Sequence, residues 1–165
     1  LIQLGAYVGL RAFEMPQVRP KDIKETENGQ YRLHVPSGKD TTGNGGKPHD
    51  AFLPASVERD LQRYQNAENI APRDSFINLK QRGVRAAVKR TAERAAEDTG
   101  VKQFRQVSSH DLRRRFAQRL LVDQKMNPRV VMAVGGWDSF AAIELYLNAP
   151  TEEIVDEAFA QADIR

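Results

Sequence analysis

The chain has 165 residues, 40% of them hydrophobic and 28% charged, and a formal net charge of +3, which suits one domain with a hydrophobic core. It has no cysteine, which excludes disulfide scaffolds, cysteine nucleophiles and thiolate metal sites. No apolar run approaches the roughly 20 residues that span a bilayer, and His34, His49 and His110 are scattered without metal-ligand spacing, so no metal site is expected.

The sequence opens at Leu1 without a methionine, and residues 1–165 read as a single domain taken from a longer protein. Residues 1–15 read as the end of a helix stopped by Pro16. Asp22–Lys24 reads as a short strand. Tyr31–Val35 alternates, with Tyr31, Leu33 and Val35 on one side and Arg32 and His34 on the other. SGKDTTGNGGKPHD follows, a loop too long for a tight turn. Apolar character resumes at Ala51–Leu53. Together these predict a small antiparallel sheet with a long hairpin loop.

Helices are expected for the rest. One follows Pro54 and Ser56 to about Tyr64, and 66–80 is mostly connecting segment broken by Pro72. Val84–Asp98 is a helix ended by Gly100. Ser108, with Asp111 three residues on, starts another, carrying Leu112, Phe116, Ala117, Leu120 and Leu121. Asn127–Pro128 opens the next, closed by Gly135 and Gly136. Asp138–Ser139 starts a short one through Leu147. Beyond Pro150, Thr151–Ala162 is an acidic amphipathic helix with Ile154, Val155, Ala158 and Phe159 on one side. The fold class is therefore mainly α with a small antiparallel β-sheet, an α+β arrangement.

Charge is unevenly spread. Residues 80–119 hold twelve Lys/Arg against four Asp/Glu, and residues 151–165 hold one against five. The basic middle fits a polyanionic partner, and equally a set of solvated helix faces.

Three segments carry candidate chemistry. In SSHDLRRRF, His110 and Arg113 are three apart at a helix start and share a face, where free backbone N–H groups favour an anion. A proton-transfer group beside a guanidinium fork suits phosphoryl transfer; a surface His on a basic helix is the alternative. In GGWDSFAAIELYL, Trp137 offers an indole N–H, and Tyr146, nine residues on, a hydroxyl able to attack phosphorus. Two core aromatics would read the same, although Tyr146 lies off the Phe140–Ile143–Leu147 stripe. In GLRAFE, Arg11 falls among apolar neighbours and needs a partner, which Glu14 can supply as a purely structural pair.

In this order, the three segments resemble the tyrosine recombinases, the phage-integrase and Xer family. GLRAFE resembles the family's first arginine box, HDLRRRF its His-x-x-Arg box, and GGWDSFAAIELYL its Gly-His/Trp box leading to the nucleophilic tyrosine at the usual spacing. The resemblance runs from Gly9 to Tyr146 and implies a site-specific DNA recombinase or integrase. Arg11 and Arg113 would grip the non-bridging oxygens of the scissile phosphate. His110 would donate to the phosphate or relay the tyrosine proton. Trp137 would bond a phosphate oxygen where many relatives carry His. Tyr146 would attack, giving a 3′-phosphotyrosine and a free 5′-hydroxyl. Glu14 would orient the arginine or histidine.

A lysine in the hairpin after the second strand would protonate the leaving oxygen. Lys39 (SGK) fits that register better than Lys47 (GGK). The resemblance implies no metal and no cofactor, since two guanidinium groups do a metal's electrostatic work. Arg114 and Arg115 would contact the DNA backbone or solvent. Double-stranded DNA would be the partner, with a tetramer on DNA assembled through the C-terminal helix, and no membrane. That helix could also fold back on its own core, or its acidic face could cover the basic site. The family's N-terminal core-binding domain is not in these 165 residues, so the domain alone would bind DNA weakly. The setting implied is the cytoplasm, at the nucleoid, or the host cell of a virus or plasmid. A type IB topoisomerase would share this chemistry, and a non-catalytic DNA-binding regulator could share the fold.

Overall fold

The computed structural model describes residues 1–36, 47–146 and 152–161. The first helix, α1 (Ile2–Ala6), is much shorter than the helix expected over 1–15. The reason is local. Gly9 sits at φ +80°, a left-handed conformation that glycine adopts without steric cost, and the Leu10 N–H reaches back to the Leu4 carbonyl at 2.9 Å. The chain therefore turns at Gly9, and Arg11 to Glu14 form a turn closed by the Glu14 N–H on the Arg11 carbonyl. Short 3-10 turns at Met15–Gln17 and Pro20–Asp22 lead into the sheet.

Three strands, β1 (Ile23–Glu25), β2 (Tyr31–Val35) and β3 (His49–Leu53), form an antiparallel sheet in the order β1-β2-β3. Leu33 pairs with Ala51 and Val35 with His49. The two-residue period turns Leu33, Val35, Ala51 and Leu53 into the core. The outer face carries the polar pairs. Arg32 lies 5.1 Å over the Phe52 ring, and His34 Nδ1 bonds Asp50 at 2.8 Å.

Helix α2 (Ala55–Glu68) runs four residues beyond the expected end at Tyr64 and stops on left-handed Asn69. Helix α3 (Gln81–Thr99) ends on left-handed Gly100, as its sequence predicts. Its buried residues Val84, Val88, Ala92 and Ala96 recur every four positions, the stripe of one packed face. Helix α4 (Ser109–Gln118) opens with a capping box. The Ser108 hydroxyl accepts from the Asp111 N–H, and the Asp111 carboxylate accepts from the Ser108 N–H at 3.0 Å. A single π turn, Arg119–Asp123, extends it. Then come α5 (Pro128–Gly135), α6 (Phe140–Glu144) and α7 (Glu152–Gln161). Lys102–Gln106 forms a further 3-10 turn that the sequence reading did not anticipate.

Two apolar clusters result. One joins the sheet to α1, α2 and the start of α3, around Leu10, Met15, Leu33, Leu53 and Val57. The other gathers Phe116, Leu121, Val131, Trp137, Ile143 and Tyr146 from α4 to α6. The packing of α1 on α4 and of β3 on α5 joins them. Helix α7 leaves Val155 and Phe159 exposed, so these two side chains are not buried on the domain's own core.

The turn at Gly9 is the tightest point of the α1–α4 contact. A Cβ there would come within 2.4 Å of the Phe116 ring. Gly9→Ala should cost about 2–4 kcal/mol, combining left-handed strain with overpacking. Urea unfolding checks this, and a loss below about 0.5 kcal/mol would contradict so close a packing.

Candidate active site

The fold brings the three sequence boxes to one place. Packing of α1 on α4 sets the turn carrying Arg11 beside the buried face of α4 that carries Arg113. The end of α5 closes over both with Gly135, Gly136 and Trp137. Arg113 is 3% exposed. Its Nη1 donates to the Gly9 carbonyl and its Nη2 to the Gly135 carbonyl at 2.7 Å. Arg11 donates through Nη2 to the Gly136 carbonyl at 3.0 Å and through Nη1 to Glu14 at 2.8 Å. The other Glu14 carboxylate oxygen accepts the Arg11 backbone N–H at 2.6 Å. Glu14 is thus fully enclosed and bonded to one residue twice.

Each guanidinium has five N–H groups in a planar fork. The bonds just given use two on each, leaving donors for a further acceptor. Burial first, and then the charge of Arg11, push Arg113 down to about 9, while Glu14 and Tyr146 oppose the shift. Arg113 therefore stays charged at neutral pH. Two cations share one carboxylate in this group, which leaves a positive charge to be met from the adjoining cavity.

That cavity has a volume of about 510 Å³. Arg11, Arg113, His110, Trp137 and Tyr146 line it, and so does Lys47, the alternative lysine. Lys39 lies outside the described residues. The Arg113 guanidinium stacks 3.9 Å over the Trp137 ring. Trp137 meets the Tyr146 ring edge-on at 5.9 Å, and the His110 and Tyr146 ring centroids are 6.4 Å apart. Tyr146 is buried with Ile143 and Trp137 in the second cluster. Trp137 and Tyr146 are thus both members of the apolar cluster and lining residues of the cavity.

The expected site residues take these positions in detail. At the start of α4 the capping box engages the Ser108 and Asp111 N–H groups. The Ser108 hydroxyl is the main cause holding the Asp111 carboxyl below its usual range, helped by the Ser108 N–H, Arg114 and His110. His110 and Arg113, expected on one helix face, divide into an exposed His and a buried Arg, yet both border the same cavity. Arg115 pairs with Asp123 at 2.9 Å, whereas Arg114 is exposed. Among the described residues no group of three or more His, Cys, Asp or Glu is placed to hold a metal, and no helix is long and apolar enough to cross a membrane.

His49 is the residue that the sequence reading missed. It opens β3 and lines the same cavity. Gly136, at φ +62°, makes room for its ring, since a Cβ there would come within 2.7 Å of Nδ1. Both ring nitrogens are buried without a hydrogen-bond partner among the described residues, a cost of about 1–3 kcal/mol. The signal was available: Ala51 and Leu53 point inward, and two residues earlier on the same strand His49 must as well.

Two predictions follow from these contacts. Glu14→Ala leaves Arg11 without its carboxylate and should cost about 3–5 kcal/mol of stability, measured by urea unfolding. Burial holds the His49 imidazole below its usual range, with Arg113 and Arg11 adding to the effect and Glu14 and Asp50 opposing it. As pH falls below about 6.5, the unfolded chain takes up this proton first. The contribution is therefore full above that pH and lost below it. His49→Gln should flatten the stability profile below about pH 6.5, and an unchanged slope would contradict the assignment.

A family model, the phage integrase family, matches residues 1–153. The chain is similar in structure to the XerH site-specific recombinase bound to difH substrate, with 23% identity and a TM-score of 0.70, over 99% of this chain and 46% of that one. It is similar to a Tn1549 transposon integrase in complex with transposon right end DNA, with 18% identity and a TM-score of 0.70, over 97% and 56%. It is also similar to the XerA recombinase, with 19% identity and a TM-score of 0.65, over 99% and 57%. The chain spans about half the length of these structures. Comparison with curated proteins gave no match. Its described core of helices on a three-stranded antiparallel sheet is that of tyrosine recombinase catalytic domains, and the chain belongs to the phage integrase family.

Proposed function

We propose that this domain, within its full-length protein, cuts and rejoins double-stranded DNA as a site-specific recombinase or integrase through a 3′-phosphotyrosyl intermediate on Tyr146. The observation that carries this reading is the convergence of Arg11, Arg113, His110, Trp137 and Tyr146 on one cavity. The relatives solved with DNA support the choice of substrate.

The Tyr146 oxygen attacks phosphorus as its phenolic proton passes to His110. The P–O5′ bond breaks, and the departing oxygen takes a proton from a lysine. Arg11 and Arg113 bind the non-bridging oxygens, whose charge grows in the transition state. Both guanidiniums are already fixed by backbone carbonyls, so little reorganisation is needed when that charge develops. Trp137 adds its indole N–H, and Glu14 holds Arg11 in place. The new bond conserves the phosphodiester, so the 5′-hydroxyl reverses the reaction without ATP. No cofactor or metal takes part. Arg114 contacts the DNA backbone, and Arg115 does so where Asp123 releases it. Helix α7, with Val155 and Phe159 exposed, joins protomers into a tetramer on DNA.

A nicked suicide substrate should trap the full-length protein covalently. The trap should vanish in Tyr146→Phe and persist when Tyr7, Tyr31 or Tyr64 is changed; trapping by Tyr146→Phe contradicts the reading. Arg11→Ala or Arg113→Ala should slow trapping by about 10²–10³-fold. Lys39 is assigned as the proton donor and Lys47 as the alternative. Sulfur at the bridging 5′ position leaves without protonation, because a thiol is a far stronger acid than an alcohol. That substrate should rescue Lys39→Ala; rescue of Lys47→Ala instead transfers the role. Relaxation of supercoiled DNA lacking any defined site would favour a topoisomerase.

A further inference from the structure

His49 is not among the residues that the family resemblance assigns to the chemistry, yet it lines the cavity with them. Among the described residues its ring supplies the only buried side-chain nitrogens or oxygens left without a hydrogen bond. Buried polar groups are nearly always bonded, and one that is not calls for a ligand or a role. Glu14, whose charge acts on the ring, points both carboxylate oxygens at Arg11, and neither bonds His49.

The ring's place is set by the fold. Strand register pairs His49 with Val35, β3 packs on α5, and the absent Gly136 side chain leaves the space that the imidazole fills. A neutral imidazole presents one N–H donor and one acceptor. The guanidiniums of Arg11 and Arg113 offer donors only, so an acceptor-rich anion bound between them is also what the His49 N–H lacks.

We propose that His49 is a further phosphate-binding residue, donating a ring N–H to a non-bridging oxygen of the phosphodiester held by Arg11 and Arg113. The identity of that anion as a DNA phosphate rests on the recombinase reading above; the anion site itself does not. In this role His49 completes a set of donors drawn from the first turn, the sheet and α4, so that the sheet takes part in substrate binding directly.

The test uses the full-length protein with two probes, inorganic sulfate and a nicked suicide DNA. His49→Ala should weaken sulfate binding, and slow covalent trapping, by about 10- to 100-fold, with DNA affinity at subsaturating salt nearly unchanged. His49→Gln, which keeps an N–H donor, should recover most of both losses. A structural role alone would lower thermal stability and leave the sulfate affinity where it was. Wild-type sulfate affinity and trapping rate in His49→Ala overturn the inference while leaving the reaction intact. Loss of sulfate binding in His49→Ala, with no trapping by the wild type, sustains the anion site and overturns the reaction. Should His49→Ala fail to fold, the wild-type His49 ring nitrogens must shift in NMR spectra on sulfate addition, and unmoved signals overturn the proposal.

Discussion

Three glycine carbonyls hold two guanidinium groups, and the rest of the site depends on that grip. Gly9 comes from the turn after α1, and Gly135 and Gly136 from the end of α5. Arg113 bridges the first two across a separation of more than a hundred residues, and Arg11 takes the third. The same bonds therefore tie the first turn to α4 and α5 and aim two cationic forks into one cavity. Fold and site are not separable here: the two arginines that tie the first turn to α4 and α5 are also those that line the cavity.

Electrostatics give this arrangement its direction. Backbone carbonyls and one enclosed carboxylate stabilise the guanidiniums without neutralising both. Burial works against the Arg113 charge, and Arg11 adds to the strain. Such a group gains more from an incoming anion than a pair of solvated arginines would, because the desolvation cost is met during folding. Trp137 contributes from its face, stacked under Arg113, and through its contact with Tyr146. One aromatic thus links the buried Arg113 to the proposed nucleophile. His49 approaches from the sheet side, where Gly136 makes room for it.

Much of this was legible in the sequence because local rules governed it. The alternation in Tyr31–Val35, the Ser108–Asp111 capping box and the Gly100 and Gly136 stops appear where their residues predict. Local rules failed at 1–15, where apolar periodicity suggested a helix but Gly9 adopts a left-handed turn to approach Phe116. The site was legible as three boxes, yet their convergence was not, since it rests on the packing of α1 on α4 and of β3 on α5. Tyr146 shows the difference. Its position off the apolar stripe set it apart from the core residues, but the chain turns after Glu144 and folds its ring against Trp137. His49 was hidden for the same reason, because a strand's inward face discloses burial but not the cavity it meets.

The central claim is that Tyr146 takes the phosphate that Arg11 and Arg113 hold. The most direct measurement is mass spectrometry of the full-length protein after reaction with nicked DNA, followed by nuclease and trypsin digestion. Residues 130–165 contain no lysine or arginine before Arg165 and only one tyrosine, so this peptide reports Tyr146 without ambiguity. The account predicts a nucleotide adduct on that tyrosine, linked through a 3′-phosphate. An adduct on another residue, or none where DNA is cleaved, would contradict it.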